Sequence, residues 1–139
     1  MRPKEFHLTA LNLGKDGTTE GDWRSSVSRS FYAAFLEVRE ILREKVGVSL
    51  LRPGGRSILT SQKSVIDLLR KSNNGSIKSL GDLLGDLQTD RHDSDYNLRL
   101  QITKRNAEDA LVGVGEIYKQ IEQITPDVLA HDVEVSLRQ

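Results

Sequence analysis

The sequence predicts an all-α fold, an antiparallel bundle of four to five helices, on three observations. Apolar residues recur at steps of three and four along most of the chain. Glycine- and asparagine-rich breaks such as "GKDGTTEGD" and "SNNGS" separate those stretches. Two long periodic segments flank shorter ones, and strict two-residue alternation is absent until the C-terminal end.

Taken in order, the first helix is short, about Lys4 to Leu13, and Gly14 is placed to end it. The second runs from about Asp22 to Val46, with Val27, Phe31, Ala34, Val38, Ile41 and Leu42 on one stripe. Asp22 is its expected N-cap and Gly47 its expected stop. The stretch "GVSLLRPGGRS" reads as a connection. A third helix covers about Thr60 to Lys71, capped by Thr60 or Ser61, with Val65, Ile66, Leu68 and Leu69 inward. The fourth covers about Ile77 to Arg91 on a stripe of Leu80, Leu83, Leu84 and Leu87, and Asp93 to Ile102 is expected as a loop. Thr103 caps the fifth, whose buried face is Ala107, Ala110, Leu111, Val114, Ile117, Tyr118 and Ile121. Pro126 stops or kinks that helix. The remaining tail is expected either as a fraying helix or as a short strand through Val133, Val135 and Leu137.

The chain has 139 residues, enough for one core without a disulfide or metal staple. The expected organisation is a helical domain over 1–125 and a C-terminal tail over 126–139. Cysteine is absent, which excludes disulfides, cysteine-ligated metals and thiol catalysis. No apolar run reaches membrane-span length and the N-terminus lacks a signal-peptide core, so a cytoplasmic location without membrane contact is expected. Formal net charge is zero, but Arg24 to Lys71 holds ten Lys/Arg against four Asp/Glu. A basic half of this kind offers phosphates a local patch.

A flank of the second helix, Tyr32, Phe35, Leu36 and Arg39, widens its apolar band beyond what one core uses. A symmetric homodimer is the expected supplier of the second contact.

The densest polar cluster is "DRHDSDYN", Asp90 to Asn97. Leu80, Leu84 and Leu87 step toward Arg91, so its guanidinium starts from the inward face. A buried charge needs an acid, a carbonyl or a wet pocket. Asp93 and Asp95 are near in sequence; a phosphate is the other partner for which a planar guanidinium is suited. Tyr96 adds an aromatic face and a phenol able to stack on a base. Arg24, Ser28 and Arg29 stand at the start of the second helix, where backbone N–H groups attract anions. Arg24 and Arg91 are therefore candidates to hold one phosphate together.

The stretch "RSSVSRSFYAAFLEVREIL", Arg24 to Leu42, together with "DRHDSDYN", resembles the HEPN superfamily of small helical nucleotide- and RNA-associated domains, above all its compact stand-alone branch. The likeness covers about Lys4 to Ile124. It implies a HEPN-like bundle, a homodimer whose two polar motifs line one cleft, and RNA or nucleotide as ligand. Taken with the residues themselves, the expected phosphate- or nucleic-acid-binding residues are Arg91, Tyr96, Arg24, Arg29 and Asp95, with Arg91, Asp95 and Tyr96 the candidates for any catalysis. Many members are metal-independent ribonuclease toxins partnered by a nucleotidyltransferase-like antitoxin, and use arginine followed after four to six residues by histidine. Here those places hold Tyr96, Asn97 and Leu98, and His92 is adjacent to the arginine, about 100° around the helix. Tyrosine is a poor general base near neutral pH. The expected function is thus RNA or nucleotide binding without standard ribonuclease activity, with an atypical endoribonuclease toxin and a dimeric protein-interaction module as alternatives. The branch also often carries a histidine near the start of the third helix, where this chain has Gln62.

No cofactor or metal is expected. His92, Asp93 and Asp95 lie on one turn and do not converge. "RPGGR" lacks the strand and the lysine–serine pair of a phosphate loop. Ser25, Ser26, Ser28 and Ser30 have no histidine partner in sight. His7 and His131 are expected at the surface.

Overall fold

Capping and burial divide the chain into six helices in the computed structural model, which describes residues 2–45, 59 and 61–138. α1 is Pro3–Asp16, α2 Glu20–Lys45, α3 Gln62–Arg70, α4 Gly75–Tyr96, α5 Lys104–Ile124 and α6 Pro126–Leu137. Among the described residues there are thus six helices in place of the expected four to five, and no strand. The connection at 47–57, with Gly47, Thr60 and "RPGGR", lies outside the described residues.

Local chemistry sets most boundaries. Thr19 Oγ accepts from the Asp22 amide at 3.2 Å, and the Asp22 carboxylate accepts from Thr18 and Thr19 at 3.0 and 3.3 Å. This is the reciprocal capping pattern of a helix start. Thr19 holds the cap and Asp22 answers from three residues in, so α2 begins before Asp22. Ser61 caps α3, Asn74 caps α4 and Thr103 caps α5, each by accepting from amides in the first turn.

Gly14 does not end α1. The helix runs through it to Asp16, and a Cβ there would stand 2.8 Å from Leu111 Cδ1 and 2.9 Å from Ser26 Oγ. Gly14 lets α1 approach α2 and α5 closely, an approach local in space and remote in sequence.

α2 is the axis of the molecule and packs against α1, α4, α5 and α6. Its Val27, Phe31, Ala34, Val38 and Leu42 are buried, as the periodicity predicts, while Ile41 is only partly so. The widened band is covered largely from within the chain. Phe35 is buried, Phe6 of α1 lies 6.1 Å from Tyr32 between ring centres, and Tyr32 and Leu36 pack partly against the core.

At the C-terminal end the strand alternative is overturned. Thr125 takes φ 66°, ψ 146°, a conformation rare for a β-branched residue. Pro126 then opens α6 at its first position, where proline's missing N–H costs nothing. Leu129, Ala130 and Val133 recur at helical steps and are buried in the core. Lys45 and Asp127, 3.3 Å apart, link the end of α2 to the start of α6.

Candidate functional site: the guanidinium cluster on α4

α4 extends five residues beyond Arg91, to Tyr96, so the expected loop from Asp93 is helical in its first turn. The polar sequence alone does not support this turn. Arg24 does, from 69 to 76 positions away. Its Nη1 donates to Asp93 O and Ser94 O at 3.3 and 3.0 Å, and its Nη2 to Asn97 O at 3.1 Å and to Leu100 O. Glu20 accepts from its Nε and Nη2 at 3.2 and 3.1 Å and also from the Ile102 amide at 2.9 Å. Arg24 thereby caps the C-terminal end of α4, where helix carbonyls are left over and a cation is favourable. Every N–H of its guanidinium is engaged, which leaves Arg24 no donor for an anion shared with Arg91.

Arg91 continues the leucine stripe inward. Its side chain is only 12% exposed and lies over Phe31, Tyr32 and Tyr96, with the guanidinium carbon 5.5, 5.7 and 6.0 Å from the ring centres. Such cation–π contacts favour a planar, weakly hydrated cation. Nη2 donates to Gln62 Oε1 at 3.1 Å, and Nη1 stands 3.5 Å from Asp95 Oδ2. The Ser28 hydroxyl donates to the same Asp95 oxygen at 3.3 Å. Arg91 Nε is buried and has no hydrogen-bond partner among the described residues. A shallow pocket of about 270 Å³ touches the group, lined by Gln88, Thr89, Arg91, His92 and Asp93.

Of the predicted site residues, the fold brings Arg91, Asp95 and Tyr96 together, and adds Ser28, Tyr32 and Gln62. Tyr96 is 65% exposed and packs against His92, with ring centres 5.0 Å apart. Arg29 is exposed, lies over Phe6 at 5.6 Å and makes no hydrogen bond or ion pair with Arg91, Asp95 or Tyr96 among the described residues. Gln62 was legible as a polar residue at the start of α3; its contact with Arg91 was not, because the two are 29 positions apart.

His7 departs from the surface position expected of it. It packs edge-on against Tyr118, with ring centres 5.2 Å apart, and burial lowers its pKa. The Tyr118 phenol is pushed up to about 12, first by burial and then by Glu37, and its hydroxyl has no partner among the described residues. These three residues line a second pocket, of about 470 Å³. Among the described residues no three His, Asp or Glu side chains are grouped so as to hold a metal ion, and no helix is long and apolar enough to cross a membrane.

Fold and cluster together define an all-α protein with an arginine held on an aromatic bed. Compared with protein-family models, with curated proteins and with solved structures, the chain matches none.

Proposed function

We propose that the chain is a HEPN-like protein that binds phosphate groups of RNA or of a nucleotide at Arg91, without standard ribonuclease chemistry. The observation that carries this reading is the unfilled donor capacity of Arg91. One hydrogen bond to Gln62, one long ion pair to Asp95 and an unpartnered Nε use only part of a five-donor guanidinium. A phosphate oxygen can replace the 3.5 Å contact to Asp95 with a shorter, charge-assisted one. Tyr96, largely exposed beside it, offers a base a stacking face. Arg24 supports the site by holding the helix end that carries it. In the twofold pair that the resemblance implies, two such clusters face one groove. The same resemblance makes a nucleotidyltransferase-like antitoxin the partner to seek by co-purification.

Fluorescence anisotropy with single-stranded RNA at stepped salt tests the reading. Affinity should fall as salt rises, and Arg91→Ala should abolish it while leaving the helical circular dichroism in place. Salt-independent binding, or an Arg91→Ala variant that binds as well as the parent, rejects it.

One observation favours a second reading. Arg91 is 88% covered and tied to Asp95, Gln62 and three rings, as a packing keystone would be. On that reading Arg91→Ala lowers the melting temperature and no RNA affinity exists to be lost.

A further inference from the structure

Two donors from different helices meet on one carboxylate oxygen beside Arg91. Asp95 lies four residues after Arg91 on α4, so the two side chains share a face of that helix. Asp95 Oδ2 stands 3.5 Å from Arg91 Nη1 and accepts from the Ser28 hydroxyl of α2 at 3.3 Å.

Both contacts are long. A hydroxyl donor settles at about 2.5–3.0 Å from its acceptor, and a guanidinium at about 2.7–2.9 Å from a carboxylate. Asp95 cannot easily close the gap, because its backbone is fixed. Arg24 donates to the carbonyls of Asp93 and Ser94 before it and of Asn97 after it, and the aspartate side chain is short. A free anion has no such tether, so a phosphate oxygen can come to ordinary distance from both donors. Carboxylate and phosphate cannot share them, since like charges so close repel. Exchange is open to water on the Asp95 side: its side chain is 28% exposed, and a displaced carboxylate regains hydration. The remaining contacts of Arg91, to Gln62 and to three rings, do not involve Asp95 and keep the guanidinium in place meanwhile.

We propose that Asp95 is a tethered stand-in for the ligand. At rest it fills an anion site made by Arg91 and Ser28, and a phosphate oxygen binds by displacing it from both. The inference rests on the phosphate-binding reading of Arg91. It makes Ser28 a second donor to the ligand, and it makes Asp95 an internal competitor rather than the ligand contact expected from the sequence.

Anisotropy titrations with single-stranded RNA at one fixed salt concentration are the test. They compare the parent with Asp95→Asn, Asp95→Ala, Asp93→Asn and the paired variant Asp95→Asn with Ser28→Ala. Both Asp95 variants should bind roughly three- to fivefold tighter than the parent. Neither disturbs the Arg24 bonds, which end on main-chain carbonyls, so the end of α4 stays capped. Asp93→Asn removes the same charge two positions away without freeing a donor, and should gain less than about twofold. Adding Ser28→Ala should remove most of the Asp95→Asn gain. The inference is overturned if the Asp95 variants bind no tighter than the parent, if Asp93→Asn gains as much, or if the paired variant keeps the whole gain. Parent binding that Arg91→Ala abolishes but the Asp95 variants do not improve overturns this inference alone. RNA binding by neither the parent nor the Asp95 variants overturns it together with the phosphate reading.

Discussion

Arg24 joins two distant parts of the chain through one side chain. Its side chain is 14% exposed and donates to four main-chain carbonyls at the end of α4 and in the loop after it. Truncation would leave those carbonyls without their cation, so Arg24→Ala should cost about 2–3 kcal/mol in urea denaturation. Arg24→Lys should recover little, since an ammonium lacks the planar fork that spans several acceptors. Glu20 completes the joint and gives it a pH signature. The Ile102 amide and then Arg24 hold the Glu20 carboxyl below its ordinary value. A depressed carboxyl stabilises the fold above its unfolded pKa and loses that contribution as pH falls through the folded value. The Glu20 contribution to stability should thus be flat from neutrality to about pH 5 and decline below the ordinary glutamate range. Glu20→Gln should shallow that acid limb, as followed by urea midpoints at stepped pH. An unchanged limb would show that the Glu20 contacts carry no proton linkage.

At the scale of elements, what was legible in the sequence was whatever is local. The caps Ser61 and Thr103 and the inward stripes of α2 to α5 follow from spacing and cap chemistry within a few residues. The inward aim of Arg91 was legible in the same way, since Leu80, Leu84 and Leu87 lead to it. Three features were not, and each depends on a partner distant in sequence. The last turn of α4 rests on Arg24, the passage of α1 through Gly14 rests on the fit to Leu111 and Ser26, and the choice of helix over strand for α6 rests on surface buried against α2, α3 and α5. The α3–α4 contact follows the same rule. A Cβ on Gly81 would meet the Arg70 backbone nitrogen at 2.9 Å and Leu69 Cβ at 3.0 Å, neither of them a flexible end. Gly81→Ala should therefore destabilise by about 1–3 kcal/mol despite alanine's better helix propensity. Gly85 makes the comparison. There a Cβ would meet only the guanidinium end of Arg70, which can swing aside, so Gly85→Ala should be close to neutral. Equal thermal shifts for the two variants would refute the close helix approach at Gly81.

For the molecule as a whole, the question is whether α6 belongs to the same cooperative unit as the five helices before it. Its Leu129 is 1% exposed and Val133 equally so, and the helix contacts α2, α3 and α5 together. A segment merely resting on a finished bundle would bury one face against one neighbour and fray independently. Contact with three helices means instead that losing α6 uncovers apolar surface on each of them. Leu129→Ala should then cost about 2–5 kcal/mol, the usual range for a cavity in a sealed core. It should also shift the whole unfolding transition rather than add an early phase. Circular dichroism of the whole chain and hydrogen exchange of the α5 amides should report the same midpoint change. An early transition confined to α6, with α5 protection untouched, would mean that the core is complete without it.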